Sequence, residues 1–415
     1  MEDILECCCG LDVHKESIVA CLMKGPIVAK FKPASEIREF GTQLSDLLAL
    51  RTWLEEQGCN YVAMESTGIY WHPVYAVLEQ ALSDDMHLLV VNARHMRNVP
   101  GKKTDMRDAE WIATLLRAGL LKGSFVPNQD IRDLRQFTRY RKALIRDITS
   151  QKNRIEKLLM SSGFGLSTFL TDIFGSSGLA IMQKLVEVGS LSSQSLEDCL
   201  KGRARHKAVD ISTSLTGILS LPQRRLLKMQ LAHLKDLQDN LQEVEDQIRS
   251  DFIKFERPIQ LLDSIPGIDL TAAYAILAEI SHDMTSFPTA QHICAWAGLA
   301  PGNHESAGKK KKQRVTPGNN YLKTILCEVA WVIAAHKDQY LSSWYWRLKQ
   351  RTDAKRAIVA LARKLLVIIY AMFKSNQPYN EQKFVERKES ANRKHITRMM
   401  NELTKLGFAV SAPSA

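Results

Sequence analysis

CCCGLDVHKESIVACLMK, residues 7 to 24, decides how the first part of the chain is read. Two apolar runs, CCCGLDV and SIVACLMK, flank the polar turn HKE, and this pattern predicts a β-hairpin whose first strand ends near Asp12. A carboxylate at a strand end projects from a rigid sheet into a cleft. Working outward, YVAM predicts another strand, ending at Glu65, after which Ser66, Thr67 and Gly68 form a turn and a helix follows from about Trp71 to Gln80. HLLVV, residues 87 to 91, is a further buried strand. Behind the basic stretch NARHMRNVPGKK, Thr104 is placed to cap a helix that runs to about Arg117 and stops at Gly119. Strands alternating with helices over residues 1–125 predict an α/β domain.

From about residue 130 the strand signals vanish and long helices take over. A helix from about Asp130 to Met160 carries a loose apolar stripe, and a second one places Leu227, Leu234, Leu241 and Ile248 seven residues apart, with Leu237 and Val244 beside them. That seam predicts a coiled coil, and the simplest arrangement is an antiparallel pair spanning 126–256, with an insertion at about 161–223 between its arms. The same pattern suits a dimer or a helical bundle without a partner. Residues 257–378 read as a compact helical domain in which Pro266-Gly267 resembles a helix-hairpin-helix turn, a motif that offers backbone N–H groups to phosphates; an ordinary helix-to-helix turn has the same appearance. Residues 379–415 are polar, basic and weakly periodic, so a tail that is mobile or ordered only on binding is expected there. The overall fold class is α/β plus all-α.

The chain has 415 residues, 45% hydrophobic and 24% charged, and no uninterrupted apolar run approaches the ~20 residues needed to cross a membrane. Its first residues, MEDILECCCG, lack the pattern of a secretory signal, and a cytoplasmic location is the expectation. Eight cysteines form neither a CxxC pair nor a zinc spacing and read mostly as buried thiols. Net charge is +11, and from Trp344 to Lys405 there are 15 Lys/Arg against 5 Asp/Glu. Charge gathered in this way points to a polyanion as partner.

Asp12 and Glu65 stand at predicted strand ends, and Asp105 and Asp108, at i and i+3 in KTDMRDAEWIA, share one face of a helix. Four converging carboxylates repel one another unless cations neutralise them, and hard oxygen ligands suit Mg²⁺ or Mn²⁺. Two such ions can assist an attacking and a leaving oxygen in phosphodiester chemistry. A plainer account exists for Asp105 and Asp108, since acids in a first helical turn gain ~0.3 to 1 kcal/mol from the helix dipole. It does not cover Asp12 and Glu65.

GLDVHKES, AMESTGIYW and KTDMRDAEWIA, in this order and spacing, resemble the D, E and DxxD blocks of the DEDD insertion-sequence transposases, whose N-terminal domain is similar to the RuvC Holliday-junction resolvase and RNase H. LDSIPGIDLTAAYAILAEI and FPTAQHICAWAGLAPGNHESAGKKKK resemble the same family's C-terminal transposase domain. By position, the family's metal-binding acids fall on Asp12, Glu65, Asp105 and Asp108, and the resemblance implies an RNase H-like N-terminal domain and a helical C-terminal transposase domain on either side of the coiled-coil middle read from the heptads. In GLAPGNHESAGKKKKQRVTPGNNYLK, the resemblance makes Ser306 a nucleophile, acting with the metal site as a composite centre. Without it, Ser306 reads as a loop serine in a local turn. Lys309, Lys310, Lys311, Lys312 and Arg314 read either as a phosphate-binding patch or as a solvated run. His304 reads as a base, a phosphate contact or neither, and Asn319 and Asn320 as caps of the next helix. Trp344, Tyr345 and Trp346 suit core packing better than base stacking.

The function expected is a transposase or site-specific recombinase that cuts and rejoins donor and target DNA as a dimer or tetramer, associated with the nucleoid. Through the resemblance alone, a structured bridge RNA is a further partner that guides the choice of site. Two alternatives remain open from the residues: a metal-dependent junction endonuclease that uses water, and a nucleic-acid scaffold with a degenerate site.

Overall fold

The computed structural model describes residues 4–28, 32–66, 68–80, 86–92, 108–214, 217–301, 305–306, 309–310, 315, 317–336 and 339–405. The chain divides into two compact units, Met1–Val126 and Pro127–Ala415.

In the first unit β1 (Cys7–Val13) and β2 (Ile18–Lys24) form the predicted hairpin, with Cys7 opposite Lys24 and Val13 opposite Ile18. β3 (Ala34–Phe40) pairs antiparallel with the far side of β2 and leads to α1 (Leu44–Glu56). Neither is among the elements expected from the sequence. β3 is an edge strand exposed at six of its seven positions, so it has none of the apolar alternation by which a half-buried strand is recognised. α1 does bury Leu47, Leu50, Trp53 and Leu54 at helical spacing. β4 (Tyr61–Glu65), α2 (Trp71–Glu79) and β5 (His87–Val91) fall where the apolar runs place them. The sheet order is β3-β2-β1-β4-β5, with β1, β4 and β5 mutually parallel, an arrangement consistent with an RNase H-like domain.

The alternation of side chains along β1 divides two cores. Cys9, Leu11 and Val13 pack with Val62 and Met64 toward the α1 side, while Cys8, Ala63 and Val91 pack against α3 (Asp108–Arg117) through Ala109, Ile112 and Ala113. Each large apolar side chain buried there stabilises the sheet by roughly 1.5 to 3 kcal/mol. At the end of α3, Gly119 takes a left-handed φ of 65°. Arg117 is 1% exposed and donates to the carbonyls of Glu6, Gly25 and Pro26 at 3.1, 3.0 and 3.2 Å. One guanidinium thus fastens the C-terminal turn of α3 to the outer ends of the hairpin.

The second unit begins with α4 (Gln129–Ser161), capped by the Asn128 side chain on Ile131 N–H. α5 (Ser176–Val188), α6 (Ser193–Cys199) and α7 (Ala208–Ser214) follow, and then α8 (Leu221–Asp251). Lys254 meets Asp130, Arg141 meets Glu245, and Gln151 donates to the Gln230 carbonyl, so partner numbers fall as α4 advances. The two long helices are therefore antiparallel, as expected. The insertion between them builds its own core from Phe164, Ile181, Leu185, Leu196 and Ile211, packed onto Leu227 and Leu234 of α8.

The remaining helices are α9 (Glu256–Asp263), α10 (Leu270–Ile280) and α11 (Ala290–Trp296). After the two-residue strands β6 (Glu305–Ser306) and β7 (Lys309–Lys310) come α12 (Asn320–Ala335), α13 (Tyr340–Lys349), α14 (Ala354–Ser375) and α15 (Glu381–Lys405). In the turn between α9 and α10, Gly267 has φ +92°, and a Cβ there would lie 2.7 Å from the Ile333 side chain. That turn is seated on α12. Tyr345 is core at 2% exposure, whereas Trp346 lies outside at 40% and donates to the Ala334 carbonyl. Within the segment expected to be a mobile tail, residues 381–405 form α15, whose start is held by Glu381 accepting from Tyr340 N–H and by Phe384 stacked on Tyr340 and Tyr379, and residues 406–415 lie outside the described residues. Its weak apolar periodicity hides the helix. Among the described residues, no helix is long and apolar enough to cross a membrane.

Candidate functional site

Parallel pairing sets Leu11 opposite Met64, so the next residues on the adjacent strands are Asp12 and Glu65. Their alternation with Leu11 and Met64 puts both acids on the side of the sheet that α3 covers. The carboxyl ends of parallel strands are where open α/β sheets form their ligand crevices. α3 crosses this face at Gly10, where a Cβ would lie 2.3 Å from the Ala109 carbonyl oxygen and 2.4 Å from Ala113 N. Only glycine permits that approach. Asp108 directly precedes Ala109, so the crossing draws the start of α3 toward the strand ends.

The Asp12 side chain is 18% exposed and its Oδ2 lies 3.1 Å from His14 Nε2, which can donate to it. Glu65 is half-buried and Asp108 exposed. Asp105, like Thr104, lies outside the described residues. Among the described residues, no three His, Cys, Asp or Glu side chains are gathered closely enough to hold a metal ion. The chemistry of the donor set, carboxylate oxygens at adjoining strand ends, suits a hard divalent cation rather than a soft one. His14 is not among the candidates taken from the sequence. Its signal is its place two residues after Asp12 in the hairpin turn.

The serine lies in the second unit. Pro301 and Val315 form an isolated bridge, and farther along Ser306 pairs with Lys309 and Glu305 with Lys310. The expected loop is thus partly a strand pair. For Ser306, Lys309 and Lys310 only the backbone is described, and His304, Lys311, Lys312 and Arg314 lie outside the described residues. At the foot of this segment Gly318 sits against Gly298, where an added Cβ would be 2.1 Å from Gly298 N. Asn319 caps α12, as its sequence position suggests, accepting from Tyr321 and Leu322 N–H at 2.9 and 3.1 Å.

One buried cluster adjoining this foot is not foreseen from the sequence. Glu279, 2% exposed, receives both Nε and Nη2 of Arg139 at 2.9 Å and the Asn319 side-chain amide at 2.6 Å. Arg135 Nε is 3.6 Å from the same carboxylate, and that guanidinium also donates to the carbonyls of Ala278 and Glu279. Burial lowers the Arg135 pKa to about 10, against the opposing pull of Glu279. It remains charged at neutral pH. The available signal is a single acid in the otherwise apolar stretch AYAILAEI. Beside the cluster, a cavity of about 220 Å³ is lined by residues including Lys142, Tyr274, Tyr321 and Glu328.

Residues 9–163 match a protein family described as "Transposase", and residues 259–346 match one described as "Transposase IS116/IS110/IS902 family". The first span contains all four candidate acids, and the second contains Ser306, Glu279 and Asn319. The chain is similar to a "Probable family 20 transposase" of Pseudomonas aeruginosa, 26% identical over 285 residues, which cover 68% of this chain and 75% of that protein. It is also similar to the "Transposase for insertion sequence element IS1111A" of Coxiella burnetii, 24% identical over 298 residues, 70% of this chain and 72% of that one. A "Pilin gene-inverting protein" of Moraxella bovis is 32% identical over 124 residues, 29% of this chain and 38% of that protein.

Proposed function

This chain belongs to the IS116/IS110/IS902 family of transposases, and from that premise we propose that it cuts and rejoins DNA strands with an acidic metal site and a serine nucleophile. Asp12, Glu65, Asp105 and Asp108 would hold Mg²⁺ or Mn²⁺. When bound, such a cation neutralises the acids and withdraws charge from the scissile phosphate. Ser306 Oγ attacks the phosphorus, a new Oγ–P bond replaces the bond to a deoxyribose oxygen, the hydroxyl proton is released, and the leaving oxygen takes up a proton. The phosphodiester count is unchanged, so rejoining requires no ATP. Lys309, Lys310, Lys311, Lys312 and Arg314 draw in the DNA backbone and offset the charge of the transition state. A structured guide RNA supplies the choice of donor and target sequence by base pairing, and a homodimer or homotetramer, joined through a coiled coil of the long helices, presents the sites.

The observation that supports this reading best is the strand register that sets Asp12 beside Glu65, within the span matched to the family. The test uses full-length protein with its co-purifying nucleic acid, magnesium, and a supercoiled plasmid carrying the element's own ends. A DNA adduct on the peptide containing Ser306, absent from Ser306→Ala, is expected under denaturing conditions. Asp12→Ala should lose cleavage while still binding nucleic acid. Metal-dependent cleavage that survives Ser306→Ala would instead identify a water-using endonuclease, and strand exchange by Asp12→Ala would remove the metal assignment.

A further inference from the structure

A carboxylate as deeply buried as Glu279 carries a large desolvation cost, and well-packed apolar side chains of similar volume are often at least as stabilising as a buried ion pair. What such a cluster supplies is geometric definition. Here it is concentrated on one place in the chain. Asn319 closes the segment that begins after α11, and each of its polar groups is engaged: Oδ1 caps α12, its N–H donates to the Trp296 carbonyl at 3.2 Å, and Nδ2 donates to Glu279. The contact of Gly318 with Gly298 brings the two ends of that segment together, and the Pro301–Val315 bridge continues the pairing outward. Arg139, the bidentate partner of Glu279, also lies over the Tyr321 ring at 4.2 Å. The foot of the Ser306 segment is therefore tied to α10 and, through Arg139 and Arg135, to α4.

We infer that Glu279 is a positioning residue for strand cleavage: through Asn319 it fixes the foot of the segment bearing Ser306. This inference rests on the reading of Ser306 as the nucleophile. A misplacement of about 1 Å caused by a change away from the chemistry can lower a rate by ~10²-fold.

Two variants of the full-length protein test it. Glu279→Gln removes the charge. Asn319→Ser keeps a good helix cap but has no amide to reach Glu279, and so preserves the fold if the first variant does not. Both are expected to lower the cleavage rate at saturating plasmid by about 10 to 100-fold, with little change in half-saturating plasmid concentration. Amide hydrogen exchange is expected to quicken at residues 296–301 and 315–322, with α14 unchanged. Wild-type exchange at those amides in a folded Asn319→Ser overturns the inference. So does faster exchange with an undiminished cleavage rate. Ser306→Ala, run alongside, separates the two ideas: if it cleaves normally the nucleophile reading fails, while the exchange data still report whether Glu279 holds the foot.

Discussion

Gly10 shows how one residue sets the geometry of the acidic end of the sheet. The atoms that a Cβ there would meet, Ala109 O and Ala113 N, are both backbone, so no side-chain rotation can relieve the clash. Gly10→Ala must lift α3 off β1 and shift Asp108 with it. The expected result is a destabilisation of about 1 to 3 kcal/mol or more, read from the urea midpoint, together with reduced plasmid cleavage. An unchanged midpoint would mean that α3 does not rest on this glycine. At this scale the placing of Asp12 and Glu65 at strand ends is legible in the sequence, because a strand ending in an acid is a local pattern, whereas Asp105, the partner of Asp108 at i and i+3, lies outside the described residues. Glu279 and Arg139 are not legible, since the ion pair joins positions 140 residues apart and neither has a local motif.

Among the elements, the antiparallel α4/α8 pair shows where periodicity is informative and where it drifts. The heptad stripe names Leu241 as a seam residue, yet the buried positions of α8 are Leu227, Leu234, Leu237, Val244 and Ile248, with Leu241 only half-buried. Three of the four stripe residues are thus buried, and Leu237 and Val244, which lie beside the stripe, fill the face where Leu241 does not. Leu234→Ala should cost about 2 to 5 kcal/mol, and Leu241→Ala clearly less, in thermal or urea unfolding. Equal destabilisation by the two would restore the simple heptad seam. β3 marks the opposite limit: as an edge strand paired on one side only, it carries no sequence pattern strong enough to announce it.

Across the whole molecule the governing quantity is charge. A net charge of +11 suits a polyanionic partner, and the logarithm of such a protein's affinity for DNA falls linearly with the logarithm of salt concentration. If Lys309 to Lys312 and Arg314 touch phosphates, replacing all five with Gln should flatten that slope by about 0.9 for each phosphate no longer neutralised, measured by fluorescence anisotropy from about 50 to 200 mM salt. An unchanged slope would leave the run as solvated surface.

The sequence by itself determined the succession β1, β2, β4, α2, β5 and α3 in the first unit, the long helical pair, the cap at Asn319 and the standing of Asp12 and Glu65 at strand ends, because each is written in the spacing of residues within one or two turns or one strand. Only the tertiary structure decided that Asp12 neighbours Glu65 in register, that α3 passes over Gly10, and that Glu279 is bound to the foot of the serine segment. Those pairings join distant parts of the chain, and packing selects them by fit and by the need to pair every buried charge.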